Sequence, residues 1–385
     1  MAVPHRDHDQ IVYLDNAATT PLRPEALEAM MPFLTDRFGN PSGGHRMARD
    51  ARLALDEARD DVAEVLGCGP GEVVFTGGGT EADNLAVLGT VAASGGTAVC
   101  PATEHHAVLH SVEAVGGRFV GAGLDGAVDL AQLEATLEEM GERVTVVSAM
   151  TANNEVGTLT PLDEVAAVMA ERAPGAVLHT DAVQAAGWCD LRELAAQAQL
   201  VSVAAHKLGG PKGVGCLVVR SGTPLRPLLH GGGQERDLRS GTHNLAGIVG
   251  FATALRLAAD ERDEVTARAG ALRAHLLDRL VHEVGGVVAS VALERALPGH
   301  LHVRIEGCEG EAMLVLLDDS GVCASAGSAC ASGAVEPSHV LAAMGVAKSD
   351  ALTSLRLSIG RTTSEADVDV AATAVASAAA RLRAG

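Results

Sequence analysis

Residues 72–84 read EVVFTGGGTEADN. A short apolar run, VVFT, ends in three glycines, and the residues from about Glu81 onward suit a helix. Strand, glycine turn and helix is the step from which parallel sheets are built, because parallel neighbours need a crossover long enough to carry a helix. Outward from this stretch the step recurs. TAVC (97–100), RVTVVSA (143–149), AVLHT (176–180), LVSVAA (200–205) and GCLVVR (215–220) are short apolar strands, most of them separated by helical segments. Residues 45–66 carry Ala51, Leu55, Ala58, Val62 and Val65 at helical steps of three and four. The expected class is α/β, with a largely parallel sheet covered on both faces.

From about Leu245 to Val284 the pattern is helical, with a break expected near Gly270. Short strands (LHVRIEG, 301–307), another helix, a small-residue loop and a C-terminal helix follow. In that last helix Val368, Ala371, Ala372, Val375, Ala379 and Leu382 share one face. The change of pattern places a domain boundary near residue 260. The stretch ASAGSACASGA (324–334) holds only Ala, Ser and Gly besides Cys330, the composition of a flexible loop.

The chain has 385 residues, with 29 basic against 49 acidic, a net charge of −20. That balance disfavours direct nucleic-acid binding, which needs clustered Lys and Arg. Aromatic residues at 2% leave little for a base-stacking platform. Hydrophobic residues at 47% and charged residues at 20% are globular values. No apolar run reaches the roughly 18 residues of a membrane span. The opening MAVPHRDHDQ is polar and carries two acids, unlike a secretory signal. Seven cysteines, odd in number and thinly spread, read as reduced thiols of a cytoplasmic protein rather than a disulfide framework.

In open α/β sheets ligands sit at the carboxyl ends of strands, and several reactive residues fall there. The three glycines and Thr80 could cradle a phosphate at a helix start; the plain alternative is a tight turn capped by Thr80. Asp181 in HTDAVQ (179–184) could pair with a protonated ring nitrogen or simply cap a helix. Lys207 in AAHKLGGPKG (204–213) could form a Schiff base if burial lowers its pKa, or be a solvated loop residue. His105 or His106 in TEHHAV (103–108) could cover a flat ring or move protons. No cysteine or carboxylate cluster has zinc spacing, so no metal is expected. Cys330 could act as a nucleophile, with Cys323 as rival. The other five, Cys68, Cys100, Cys189, Cys216 and Cys308, read as small core hydrophobes. Arg356 in SLRLSIGR (354–361) could hold a carboxylate in a bidentate grip, with Arg361 as second candidate. Together a phosphate cup, a strand-end Asp and a strand-end Lys are the parts a pyridoxal-phosphate enzyme needs.

The motifs run in order: YLDNAATTPL (13–22), GNPSGGH (39–45), TGGGTEADN (76–84), TEHHAV (103–108), NNEVGT (153–158), HTDAVQ (179–184), AAHKLGGPKGVG (204–215), RSGTHN (239–244) and GSACASGAVEPSHVL (327–341). Over nearly its whole length the chain resembles the pyridoxal-phosphate-dependent cysteine desulfurases of the NifS and IscS kind, in the class V aminotransferase superfamily. The resemblance implies the type I fold of these enzymes. A large domain (15–260) would hold a mostly parallel seven-stranded sheet. A small α+β domain (1–14 and 261–385) would carry a mobile catalytic loop (about 321–339).

It also implies a homodimer that converts L-cysteine to L-alanine with pyridoxal 5'-phosphate. Lys207 would carry the cofactor and move the proton, and Asp181 would pair with the ring nitrogen. Gln184 would reach the phenolic oxygen and His105 would stack on the ring. Gly79, Thr80 and His206 would hold the phosphate, with Thr242 of the partner subunit. Asn154 and Arg356 would bind the substrate at its carboxylate side, Asn154 also touching the cofactor. Cys330 would take the sulfur as a persulfide and pass it to a protein acceptor, an iron–sulfur scaffold or a thiolation enzyme. Selenocysteine cleavage is an alternative; transamination has no use for a loop thiol, and a non-catalytic relay subunit would lack Lys207 or Asp181. One departure stands out: many relatives carry Ser where this chain has Ala204, so one phosphate contact is expected to be lost.

Overall fold

The computed structural model describes residues 11–326 and 337–384. The chain opens with a two-residue strand, β1 (Val12–Tyr13), then α1 (Pro24–Leu34) and α2 (Arg46–Leu66). The central sheet takes β2 (Val73–Thr76), β3 (Thr97–Pro101), β4 (Arg118–Val120), β5 (Val144–Ser148), β6 (Val177–Asp181), β7 (Leu200–Ala204) and β8 (Gly215–Val219). Between them run α3 (Gly79–Ser94), α4 (His106–Ala114), α5 (Leu130–Met140), α6 (Leu162–Arg172) and the short α7 (Leu191–Leu194). In space the order is β2-β8-β7-β6-β5-β3-β4. The strands from β7 to β4 pair in parallel, and β8 lies antiparallel between β7 and β2. The seven-stranded, mostly parallel sheet is thus as expected.

The inner strands are apolar on both faces because helices cover both. On one side α3 packs Ala82, Leu85 and Ala86 onto Val74, Val177, Leu200 and Leu217. On the other, residues of α2 and of α8 (Leu245–Asp260), including Leu55, Val62, Ile248 and Phe251, cover Phe75, Val99, Val147, Val201 and Val203. After α8 comes α9 (Arg262–Val284). The break between them falls at Glu261, not near Gly270 as expected. Gly270 lies inside α9, with open space where a Cβ would stand. Glu261 instead takes two bonds from Arg23 (3.0 and 2.9 Å), a tertiary anchor that local glycine content does not reveal.

The remaining chain forms a second core. A three-stranded antiparallel sheet orders β12 (Ser354–Ser358), β10 (His300–Ile305) and β9 (Val287–Ala289). It packs with α9, α10 (Gly310–Asp319) and α13 (Glu365–Ala384) through Leu276, Leu280, Val303, Leu317, Leu355, Leu357, Val368 and Val375. β1 pairs in parallel with β11 (Val322–Cys323), so the early Val12 and Leu14 belong to this core. Two short helices, α11 (His339–Ala343) and α12 (Lys348–Ala351), lie before β12.

Candidate active site

The carboxyl ends of β2, β3, β5, β6 and β7 meet on one edge of the sheet, where a parallel α/β fold gathers its ligands. After β2 the chain turns through Gly77 and Gly78 into the start of α3. Gly78 has φ +146°, outside the range of most side chains. A Cβ on Gly79 would stand 2.7 Å from Cγ2 of Val183 and 3.6 Å from Cβ of Ala204. Gly79 thus lets Val183 pack against the turn, while Gly78 has open space where a Cβ would stand, and both glycines line one cleft. Thr19, Gly77, Gly78, Gly79, Thr80 and His206 are among the residues that line this open cleft of about 770 Å³.

Lys207 ends the 3₁₀ turn that follows β7. Its Nζ donates to the carbonyls of Ala17 (2.5 Å) and Ala18 (2.8 Å). Burial, helped by the Arg356 charge, brings its pKa down to about 8, so the neutral amine is accessible under mild conditions. His206 places Nδ1 3.1 Å from the Thr19 hydroxyl, and burial, with the charges of Lys207 and Lys212, brings it down to about 4. Gln184 also donates to Ala17, at 2.7 Å. The main-chain carbonyl of Ala17 thus gathers both side chains at the floor of the site.

Asp181, the last residue of β6, is 7% exposed and accepts from the Val183 amide at 2.8 Å. Burial raises its pKa, while His105, the Val183 amide and Lys207 oppose the rise. His105 caps α4, accepting from the Ala107 amide at Nδ1 (3.2 Å), which leaves the ring proton on Nε2. Burial lowers its pKa, with the Asp181 charge acting against that. His106, the other histidine weighed, is exposed and leans on His110 and His339 instead.

Arg356 lies on β12 and is 7% exposed. Its guanidinium is already engaged, by Asp15 Oδ1 (2.7 Å) and the Asn154 carbonyl (2.9 Å), while its Nε is buried without a partner among the described residues. Asn154 meets Arg356 through its main chain rather than the side chain expected for ligand binding. Thr242 is exposed and lies outside the lining of the cleft in its own chain. Arg361 borders a separate cavity together with Lys207 and His300. Cys330 lies outside the described residues. Cys323 sits half-buried on β11, its thiol pushed up by burial and by Asp318 and Asp15. Cys100, Cys216 and Cys308 are buried and Cys68 and Cys189 half-buried; burial raises the pKa of Cys68 and of Cys189 to about 11.

Several residues enter the site that lie within the quoted motifs but were assigned no role there. Asp15 holds Arg356; Ala17 receives Lys207 and Gln184; Asp83 and Glu104 are buried acids beside Asp181. Asp83 follows Gly79 by four residues in a helix, a spacing that puts both on one face and could have flagged it.

The fold and this arrangement define a class. Residues 12–370 match the family described as aminotransferase class-V. The chain is 44% identical to the IscS-like cysteine desulfurase of Mycobacterium tuberculosis (strain ATCC 25618 / H37Rv), over 97% of each chain. Its structure is similar to that of a NifS-like protein, with TM-score 0.88, 35% identity, and 95% and 98% of the two chains covered. It is also similar to SspA in complex with cysteine, with TM-score 0.77, 30% identity, and 90% and 98% covered. The chain belongs to the class V aminotransferase family and, within it, to the cysteine desulfurases of the NifS and IscS kind.

Proposed function

We propose that this chain converts L-cysteine to L-alanine using pyridoxal 5'-phosphate, with Cys330 as the sulfur acceptor within the protein. The observation that carries the reading is the pairing of Lys207 and Asp181 at the ends of adjacent strands, beside a glycine-lined cup at the end of β2. These residues fit the cofactor. The glycine turn at Gly78 and Gly79 with His206 suits a phosphate, the amine of Lys207 is near neutrality at mildly basic pH, and Asp181 offers a buried carboxylate to a ring nitrogen. Bound there, the cofactor supplies a sink for the electron pair that develops beside the breaking C–S bond.

The chain's own groups do the rest. Lys207 would hold the cofactor and could move a proton at the substrate carbon, its Nζ lying against the Ala17 and Ala18 carbonyls. His105 would lie against the bound cofactor, with its proton on Nε2. Arg356, with Asn154 beside it, takes the substrate carboxylate. The Cys330 thiolate attacks the substrate sulfur: the new S–S bond forms as the C–S bond breaks. L-Cysteine and the Cys330 thiol thereby become L-alanine and a Cys330 persulfide. An acceptor protein, an iron–sulfur scaffold or a thiolation enzyme, then takes the sulfane sulfur. The same reading assigns residues 15–260 to a large domain and 1–14 with 261–385 to a small one. It makes the working unit a homodimer in which Thr242 of the partner subunit completes the phosphate cup. The reading puts the enzyme and its acceptor in the cytoplasm; no described helix is long and apolar enough to cross a membrane.

The test is alanine release from L-cysteine in the presence of a thiol reductant, comparing the native enzyme with Cys330→Ala. Release by the native enzyme alone is the expected result. Equal release by the variant would move the nucleophile to another thiol, Cys323 first. Release by neither would redirect the site to selenocysteine or to amino-group transfer.

A further inference from the structure

The helix that begins at the glycine cup also carries Asp83, one turn beyond Gly79 and on the same face. Asp83 is 1% exposed. Its carboxyl lies close to the Asp181 carboxyl and to the Ser202 hydroxyl. Asp83, Asp181 and His105 bring polar atoms within 4.8 Å of one another. Oδ1 of Asp83 is buried without a hydrogen-bond partner among the described residues. His179 Nε2 stands 3.6 Å from that oxygen, but both ring nitrogens are engaged by hydroxyls, Ser148 at 2.8 Å and Ser202 at 3.0 Å. Burial brings His179 down to about 3, so it is neutral and offers Asp83 no counter-charge. The remaining acid facing the group is Glu104, fully buried, which accepts from the Met150 amide.

Two carboxylates can only accept hydrogen bonds, so two carboxyl groups in contact away from water share at least one proton. What stabilises negative charge is divided unequally here. Asp181 has the Val183 amide, with His105 and Lys207 nearby. Asp83 has the Ser202 hydroxyl against full burial and the neighbouring Asp181, and these push it well above the usual carboxylate range. We propose that Asp83 is a neutral carboxylic acid that donates its proton to Asp181, a positioning residue that keeps Asp181 ionised and fixes which of its oxygens faces the cofactor ring. The inference rests on the reading of Asp181 as the counter-charge of the ring nitrogen. It makes α3 responsible for both ends of the cofactor: its first residues form the phosphate cup and its second turn orients the partner of the ring nitrogen.

The experiment uses the full chain, as apo-protein and reconstituted with pyridoxal 5'-phosphate, in four forms: native, Asp83→Asn, Asp83→Ala and Asp181→Asn. The infrared difference spectrum of the apo-protein, native minus Asp83→Asn, reports the carbonyl stretch of the acid lost; a protonated carboxylic acid band is expected in it, while the buried Glu104, common to both forms, cancels. The asparagine is neutral and still has an N–H to donate, so it is expected to bind the cofactor within about threefold of native affinity, whereas Asp83→Ala, with no donor, loses roughly tenfold. The pH midpoint of the bound cofactor's visible absorption is expected to stay in place in Asp83→Asn and to move in Asp83→Ala. A difference spectrum without that band overturns the proposal. So does a midpoint that shifts as far in Asp83→Asn as in Asp83→Ala. If Asp83→Ala does not fold, the infrared band and the Asp83→Asn midpoint decide alone. Native cofactor affinity in Asp181→Asn would overturn the reading of Asp181, and the positioning role with it, while the band still reports who holds the proton.

Discussion

Arg356 donates through Nη2 to Asp15 Oδ1 at 2.7 Å, across the join between the chain's first strand and one of its last. The same guanidinium donates through Nη1 to the carbonyl of Asn154. A side chain held from two directions presents a fixed fork, which is what a planar carboxylate needs.

The first prediction follows from that fork. Arg356→Lys keeps the charge but loses the planar pair of donors. KM for L-cysteine is expected to rise about tenfold or more, with a smaller effect on kcat. Steady-state kinetics decide it; an unchanged KM would remove Arg356 from substrate binding.

Lys207 sets a pH dependence. Its pKa falls from the ordinary 10.5 to about 8 on folding. Attachment of the cofactor needs the neutral amine, so capture of pyridoxal 5'-phosphate by apo-protein should accelerate with pH and level off above about 8. The sign for stability is the same. Between pH 8 and 10.5 only the unfolded chain's lysine still binds a proton, so this group adds stability to the apo-protein as pH rises through that window. Stopped-flow capture rates measure the first effect; a midpoint close to 10.5 would show that burial does not tune this amine.

Ala204 is fully buried beneath the cup, 3.6 Å from where a Cβ on Gly79 would stand. Serine there adds a hydroxyl at the base of the phosphate site. Ala204→Ser should tighten cofactor binding severalfold, in line with about 1 kcal/mol for one added hydrogen bond. Equilibrium dialysis of the cofactor checks it, and an unchanged or weaker constant would show that the hydroxyl does not reach the phosphate.

Glu235 ties the 234–243 segment to the large core. It is 5% exposed and accepts from Arg59 (2.6 and 2.9 Å), His243 (2.7 Å) and the Phe75 amide (3.0 Å). Glu235, Arg236 and Asp237 all have positive φ (49°, 58° and 65°), a costly run for non-glycine residues that these bonds hold in place. Although burial pushes the carboxyl up, the bonds from His243 and Arg59 bring it down to about 2. Its contribution is present above the unfolded value near 4.5 and is lost as pH falls toward 2. Glu235→Ala should cost about 3 kcal/mol, because it takes the carboxylate from the half-buried Arg59, which keeps the Val73 carbonyl, and from His243 and the Phe75 amide. Denaturant melts at pH 7 and pH 3 test both points; a variant as stable as the native chain would show that the network carries no net weight.

The strand–helix alternation was legible because parallel strands buried on both faces must be short and apolar. The strands around Val74, Val99, Val147, Leu178 and Val203 are of that kind. Lys207, Asp181 and His105 were legible because each lies at or just after the end of such a strand. The break at Glu261 was not, since its cause is Arg23, distant in sequence. Nor was the pairing of Val12 with Val322, because a two-residue strand has no period to read. Asp83 escaped notice because an acid in the second turn of a helix is ordinary until its surroundings are known.

By itself the sequence determined the class of fold, the order of the strands along the chain and the types of residue at their ends, because these depend on local periodicity and turn chemistry. Only the tertiary structure decided which of those residues meet. It set Asp15 against Arg356, gathered Lys207 and Gln184 on the carbonyl of Ala17, and buried Asp83 against Asp181. The physical reason is that charge state and hydrogen-bond partnership are set by burial and by neighbours distant in the chain, and folding alone brings those together.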